Sequence, residues 1–358
     1  MKNTIGESVS LTLFGESHGT AIGAVLDGLA PGIEVDEEFI AKQMDLRRSV
    51  SSLSTPRHEP DEVKIVSGVF NGRTTGTPIT FIIENTNTKS ADYSEMSALM
   101  RPGHADFTAQ AKYHGYADYR GGGHFSGRIT APIVAAGAVA ISALAKKNIR
   151  IGTHILSCAG VRDRAFDDLD TDIKKLNDMS FAVLDEQKAE EMKNAIASAR
   201  AEGDSVGGVL ETVITGLPAG IGEPWFDTLE SMISHMMFSI PAVKGIEFGD
   251  GFALADMNGS TANDSFTLQG TSTNHCGGIL GGISNGMPLV MRCAIKPTPS
   301  ISKPQQTINI KENRIEEISV KGRHDPAIVH RARVVADSAV ALVLCDMLAL
   351  RYGTDFLA

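Results

Sequence analysis

Val9, Leu11 and Leu13 alternate with serine and threonine near the start of the chain, a period of two that predicts a strand across SVSLTLFG. A second apolar run, AIGAVLDGL at 21–29, predicts another, so FGESHG at 14–19 falls in the hairpin connection between them. VKIVSGVF pairs in the same way with TPITFIIE, and NIRIGTHILS, GGVLETVITG and PLVMRCAI read as further strands. Connections this short favour antiparallel sheets. Helical spacing runs over 36–48, 126–147, 186–201, 225–238 and 327–352. In the last of these, Ile328, Ala332, Val335, Ala339, Leu342, Cys345 and Ala349 form one stripe, and the opposite side is also largely apolar, so this helix is expected to be mostly buried. Strands and helices do not alternate regularly. A doubly wound parallel sheet is therefore disfavoured, and an α+β layered fold is expected.

Position 15 onward has an echo. With a shift of 188 residues, GESHG at 15–19 falls on GDSVG at 203–207, and GLAPGI at 28–33 falls on GLPAGI at 216–221. A predicted helix follows in both places. This predicts an internal duplication, with pseudo-repeat halves at roughly 1–150 and 200–358. Val206 falls on His18, so a turn of this geometry does not require histidine. No proline-rich linker divides the chain, and the charged stretch 162–175 reads as a surface excursion. One compact domain over 1–358 is expected.

Composition narrows the partners. A formal net charge of −10 disfavours a generic nucleic-acid binder, and it means that any anionic ligand needs a local cluster of arginine and lysine. The cysteines at 158, 276, 293 and 345 show no metal-binding spacing, so no metal is expected, and Cys158 and Cys345 read as core thiols. The apolar run 129–145 is shorter than the ~20 residues of a membrane span and is broken by Pro132, which predicts a buried helix and no membrane partner. MKNTIGESVS carries no apolar targeting core, so a reduced, cytoplasmic location is expected.

Several turns combine glycine, histidine and arginine in a way that core packing does not call for: FGESHG, RPGHADF at 101–107, DYRGGGHFSGR at 118–128, AIKPTPSISKPQ at 294–305 and KGRHDPA at 321–327. Their cations, with those at the end of the first helix, include Arg47, Arg48, Arg101, Arg128, Lys296, Lys303 and Arg323. Backbone N–H groups at a helix start suit a phosphate. The residues alone thus predict a site for a phosphate-bearing anion, with one or two histidines for proton transfer. Plainer readings stand beside this one. His58, His114, His154, His235 and His330 read as solvated, and Asp106 and Asp325 as helix caps. Neither a GxxxxGK[ST] nor an HExxH motif is present, so a P-loop kinase or a zincin is not supported.

In order along nearly the whole chain, TLFGESHGTAIGAVLDGLAPG, SGVFNGRTTGTPI, RPGHAD, GDSVGG, SIPAVKGIEFGDGF, NHCGGILGGISNGMP, KPTPSI and KGRHDP resemble the chorismate synthase family. The resemblance implies a β-α-β sandwich with antiparallel sheets inside and helices outside, assembled as a homotetramer. It implies a carbon–oxygen lyase of the shikimate pathway to aromatic amino acids, making chorismate from 5-enolpyruvylshikimate 3-phosphate by 1,4-anti elimination. It also implies reduced FMN as cofactor. No GxGxxG dinucleotide unit is evident, so an external flavin reductase, rather than NADPH bound here, is expected to supply it. By motif, His18 would be the acid near the leaving phosphate, His104 would protonate or hydrogen-bond the reduced flavin, and Asp325 would assist proton removal. Arg47 would hold substrate, with Arg48 beside it. His124, Phe125, Ser126, Pro241, Ala242, Gly281, Lys296, Pro297, Thr298, Pro299, Ser300 and Arg323 would contact FMN. Three departures stand out: HFSGRIT replaces RSSARET after the glycines, LRRSVSSLSTPR lacks the RRRPG form, and Asp337 stands where a glutamate is common. A non-catalytic FMN or phospho-ligand binder and a flavin oxidoreductase are the other readings; retention of His18, His104 and Asp325 favours the lyase.

Overall fold

The N-terminal alternation forms the strands it predicts. A computed structural model describes residues 2–48, 61–86, 98–320 and 325–358. Its first part runs β1 (Thr4–Ile5), β2 (Ser10–Gly15), β3 (Ala21–Asp27), α1 (Glu37–Arg47), β4 (Val63–Ser67), a small hairpin of β5 (Val69–Phe70) and β6 (Arg73–Thr74), β7 (Ile79–Glu84), α2 (Asp106–Lys112) and α3 (Thr130–Lys146). Then follow β8 (Arg150–Cys158), β9 (Val161–Arg162), α4 (Leu169–Leu176), α5 (Glu186–Ala201), β10 (Gly208–Thr215), α6 (Leu229–Ser239) and β11 (Val243–Phe248). The chain closes with α7 (Gly259–Ala262), the hairpins β12 (Phe266–Thr267) with β13 (Gly270–Thr271) and β14 (Ile279–Leu280) with β15 (Ile283–Ser284), then β16 (Leu289–Ile295), β17 (Gln305–Asn309), β18 (Arg314–Ile318) and α8 (Val329–Tyr352).

Two five-stranded antiparallel sheets result, in the orders β1-β2-β3-β7-β4 and β11-β16-β10-β8-β9. The α+β class and the antiparallel pairing are as expected. The layer order is the reverse of the expectation. Helix α3 packs on β3 and β7, α8 packs on β8 and β10, and the two helices pack on each other, so they lie between the sheets rather than outside them. The cause is in their composition: 13 of 17 residues in α3 and 19 of 24 in α8 are buried, and a helix apolar all round must be covered on every side. Their approach is close, since a Cβ on Gly137 would stand 2.2 Å from Ser338 Cβ. By length and composition alone the segment Gly127–Lys146 could cross a membrane, but 78% of its most apolar window is buried inside the fold. On the far face of the second sheet lie α4 and α5; the charged stretch expected to be a surface excursion holds α4, whose Ile173 and Leu176 are buried.

The two sheets share one plan. In both, the fourth strand is reached through a helix and a small hairpin: β3–α1–β4–(β5, β6)–β7 and β10–α6–β11–(β14, β15)–β16. The connection after the second strand of each is built from the same bonds. Thr74 Oγ1 donates to Ala30 O (2.6 Å) and accepts from Ile33 N (2.9 Å); Ser284 Oγ donates to Pro218 O (2.6 Å) and accepts from Ile221 N (2.9 Å). Gly32 and Gly220 take the left-handed conformation at the same place, with φ of 93° and 96°. In sheet order, β8 holds the place of β2, so the correspondence reaches back to Arg150.

Two histidines expected to be solvated are buried. His154 bridges Asp163 (2.7 Å) and Glu211 (3.0 Å) in the second sheet, and His330 packs in α8 near the Phe181 ring. His114 sits in the exposed turn after α2, and His58 lies outside the described residues. Burial pushes the Cys158 thiol up to about 11 and that of Cys345 higher still, as inert core thiols require.

Candidate active site

A cleft of about 960 Å³ opens where the first turns of α3 and α8 meet the C-terminal ends of α1 and α6. Helices α1, α4, α5 and α6 are each closed by a side-chain cap, from Asp36, Asp168, Asp185 and Thr228. The start of α8 receives no side-chain cap, whereas α3 is extended backwards by a short turn at Gly127–Ile129, where Ser126 Oγ accepts from Arg128 N (3.3 Å). Two positive helix ends therefore face one cleft, and Lys244 and Lys296 stand at its wall. On a chain of net charge −10 this is a local anion site.

The run Gly121–Gly123 forms the floor beneath the histidines. All three glycines have positive φ, 59°, 89° and 55°, which other residues adopt only with strain. A Cβ on Gly121 would lie 2.2 Å from His18 Cε1, and one on Gly122 would lie 3.3 Å from His104 Nε2. Two histidines far apart in sequence thus rest on successive residues. The connection holding His18 is stitched to this run by Ser17 N donating to Gly123 O (3.1 Å) and Ser17 Oγ donating to Arg120 O (3.1 Å). With its proton spent there, Ser17 Oγ accepts from His18 Nδ1 at 3.2 Å, so Nδ1 carries the proton of that bond. His18 itself is 6% exposed.

His104 follows the turn that Arg101 anchors. Asp106 does not cap α2 as expected; its carboxylate accepts from His104 Nδ1 (2.6 Å) and from Arg101 Nε and Nη2 (both 2.8 Å). Burial would raise the Asp106 carboxyl, but the bonds from Arg101 and His104 outweigh it and hold the group well below the usual carboxylate range. Asp325 is not a cap either: it pairs with Arg331, whose Nε donates to Arg47 O (3.0 Å).

Of the other residues singled out in the sequence, Arg47, Arg48, His124, Phe125, Ser126, Pro241, Ala242, Lys296, Thr298, Pro299 and Ser300 line the cleft with His104 and Asp325. Pro297 lies behind it and packs on Gly207. Gly281 is at the exposed tip between β14 and β15 and does not reach the cleft. Arg323 falls outside the described residues. His124 spends Nδ1 on Gly15 O (2.7 Å), so it ties the glycine run to β2. Arg47 is 5% exposed and bonds Thr130 Oγ1 (3.0 Å), Gly127 O (2.9 Å) and Asp61 (3.3 Å). It therefore anchors the start of α3. Arg48 is more open and pairs with Asp45 on its own helix (2.8 Å). Lys296 donates to Gly103 O, which clasps the Lys296–Ser300 segment to the His104 turn; burial and then Lys244 lower its pKa.

Sequence reasoning passed over Ser17, Arg331, Asp61 and the wall residues His235 and Lys244. Arg331 stands six residues after Asp325, a spacing that no periodic pattern marks. The residues present suit a flat, phosphate-bearing cofactor. The Tyr113 and Phe125 rings meet edge to face at 6.1 Å, Gly127 at the cleft wall is open to close approach, and lysines and helix ends complement phosphate. Among the described residues no cluster of metal-ligating side chains occurs.

Comparison with known proteins agrees across the chain. The family model described as chorismate synthase matches residues 9–349. A chorismate synthase of Methanobrevibacter smithii is 46% identical over 97% of this chain and 96% of its own length. One of Pyrococcus abyssi is 45% identical over 97% of each. A crystal structure of chorismate synthase superposes with a TM-score of 0.77 at 29% identity, covering 98% of this chain and 94% of that one.

Proposed function

The chain belongs to the chorismate synthase family of lyases, and on that premise we propose that the cleft binds 5-enolpyruvylshikimate 3-phosphate with reduced FMN and eliminates phosphate and the C6 proton in 1,4-anti fashion. The observation that carries the reading is the seating of His18 and His104 on Gly121 and Gly122, close to where the starts of α3 and α8 face one cleft. When bound, reduced FMN supplies electron density as phosphate leaves and recovers it, so that no net oxidation occurs.

The chain's own residues do the rest. His18, as the imidazolium, hands its Nε2 proton to the leaving phosphate, and the helix ends and lysines neutralise the charge that develops. His104 presents a proton at Nε2 to the cofactor. Asp325, oriented by Arg331, is the proton acceptor at the α8 side of the cleft. Arg48 is the cation that meets substrate, while Arg47 holds the α3 entrance in place. Phe125 and Ser126, Pro241 and Ala242, and the Lys296–Ser300 segment would hold FMN; Arg323 would join them by motif, and the cleft geometry gives no support for Gly281. The enzyme works in the cytoplasm, takes reduced flavin from a separate reductase, and assembles as a homotetramer. Support for assembly comes from large apolar side chains in solvent: Trp225 at 84%, Phe226 at 89% and Leu268 at 99% exposure. Its single domain is two like halves.

The test is phosphate release from the substrate under anaerobic conditions with reduced FMN. We expect turnover with reduced FMN, none with NADPH and oxidised FMN alone, and a fall of ~10²-fold or more in folded His18→Ala and His104→Ala proteins. Bound flavin with no phosphate release sinks the lyase reading for this chain. Near-normal turnover in either variant removes that histidine from the chemistry.

A further inference from the structure

Asp106 has a second oxygen and a geometry that a helix-capping residue would not need. Its Oδ2 accepts from Arg101 Nε (2.8 Å) and Arg101 N (3.0 Å), and its Oδ1 accepts from Arg101 Nη2 (2.8 Å) and His104 Nδ1 (2.6 Å). Arg101 Nη2 also stands 3.1 Å from His104 Nδ1, but the Asp106 carboxylate is nearer, at 2.6 Å, and when ionised it only accepts. The carboxylate is therefore the shared acceptor, and Nδ1 must carry a proton. The opposite edge of the ring lies over Gly122, where a Cβ would come within 3.3 Å of Nε2. The side chains of His104 and Asp106 are 17% and 10% exposed, so water does not replace this contact.

We propose that Asp106 is a positioning residue for His104: the Arg101–Asp106 pair fixes the ring with Nδ1–H on the carboxylate and Nε2 turned to the glycine run and the cleft. Arg101 balances the carboxylate charge, so what the pair delivers is direction more than field. It also ties the histidine turn to the far wall, because Arg101 Nη1 donates to Ser300 Oγ (3.4 Å). Ser300 belongs to the segment that Lys296 clasps from the other end. One buried ion pair thereby sets the ring of His104 and the spacing of two cleft walls. The inference rests on the reading that His104 acts in the reaction.

Neutron diffraction from deuterated crystals of the ligand-free protein reads the proton without any variant. Deuterium on His104 Nδ1, aimed at Asp106, is expected; a bare Nδ1 overturns the inference. In solution, Asp106→Asn should lower kcat by ~10²-fold, as loss of the orienting carboxylate does in other acid–histidine pairs, while KM for the substrate stays within about threefold. Asp106→Glu should recover part of kcat. A folded Asp106→Asn protein with unchanged kcat and Nδ1 still protonated overturns the inference as well. Full turnover in His104→Ala instead brings down the underlying reading, and that failure is visible in a different protein.

Discussion

Gly121→Ala places a methyl group where His18 lies. The new Cβ would stand 2.2 Å from His18 Cε1, 2.3 Å from Nδ1 and 2.8 Å from Ser17 Oγ. Carbon contacts are comfortable near ~3.5 Å, so the ring or the glycine run must yield by more than about 1 Å. Alanine at φ of 59° adds ~1 kcal/mol of backbone strain, and overpacking adds ~1–3 kcal/mol. A ~1 Å displacement of a proton donor can cost ~10²-fold in rate, so kcat is expected to fall by that order in a protein that still folds. The decisive measurement is a cycle with His18→Ala. Once the imidazole is gone, the close contact that remains is the one with the Ser17 hydroxyl. The double variant should therefore turn over like His18→Ala alone, and the stability cost of Gly121→Ala should shrink toward the ~1 kcal/mol of strain plus the cost of shifting that hydroxyl. Anaerobic phosphate release and urea midpoints on the four proteins read both quantities. If the two losses multiply, Gly121 does not act through His18 and the reasoning fails.

Three other predictions concern ionisable side chains. Burial lowers His330 from 6.5 to about 4, with Arg331 adding to the effect, so the folded protein binds fewer protons than the unfolded chain between those values. Stability from this group is then fully present above pH ~6.5 and lost as pH falls toward ~4; about 2 kcal/mol should go between pH 7 and pH 5, and His330→Gln should flatten that part of the urea profile. Arg47→Ala should destabilise by ~2 kcal/mol because it removes buried bonds to Asp61, Thr130 Oγ1 and the Gly127 carbonyl, although Arg128 still pairs with Asp61 and Thr130 still donates to Gly127 O. Arg48→Ala should leave stability within ~1 kcal/mol and raise substrate KM by ~10-fold, and the reverse pattern would exchange the roles given to these arginines.

Periodicity located the strands and long helices because burial imposes it. Expected helices at 36–48 and 186–201 match α1 and α5 to within a residue. It could not order the layers: α3 and α8 are apolar all round, which predicts burial but not which surfaces bury them. It missed α2, α4 and the β17–β18 hairpin, short elements whose stability comes from tertiary contact more than from pattern. The site was legible where glycine and histidine sit together in one turn. It was illegible where the partner is remote or off-period, as with Arg331 on Asp325 and Ser17 on the glycine run. The solvated reading of His154 failed for a related reason. Its partners Asp163 and Glu211 lie on a neighbouring loop and strand, and with them an imidazole can be buried.

The echo between GESHG and GDSVG has its own physical content. In the first half the turn is stitched to the loop before α3, through Ser17 N and Gly123 O (3.1 Å). In the second, the corresponding turn is stitched to the loop before α8, through Val206 N and Pro326 O (2.7 Å). Each half thus brings a short connection, the β2–β3 turn in one and the lead from α5 into β10 in the other, against the start of a central helix, and both helix starts open on the same cleft. On the proposed reading the chemistry would be divided between them, with His18 on one side and Asp325 on the other. A turn that stands with valine in one half needs no histidine in the other. Packing and turn geometry therefore leave the imidazole of His18 unexplained, and the role proposed for it would account for it: His18 does not line the cleft itself but sits on Gly121, which does.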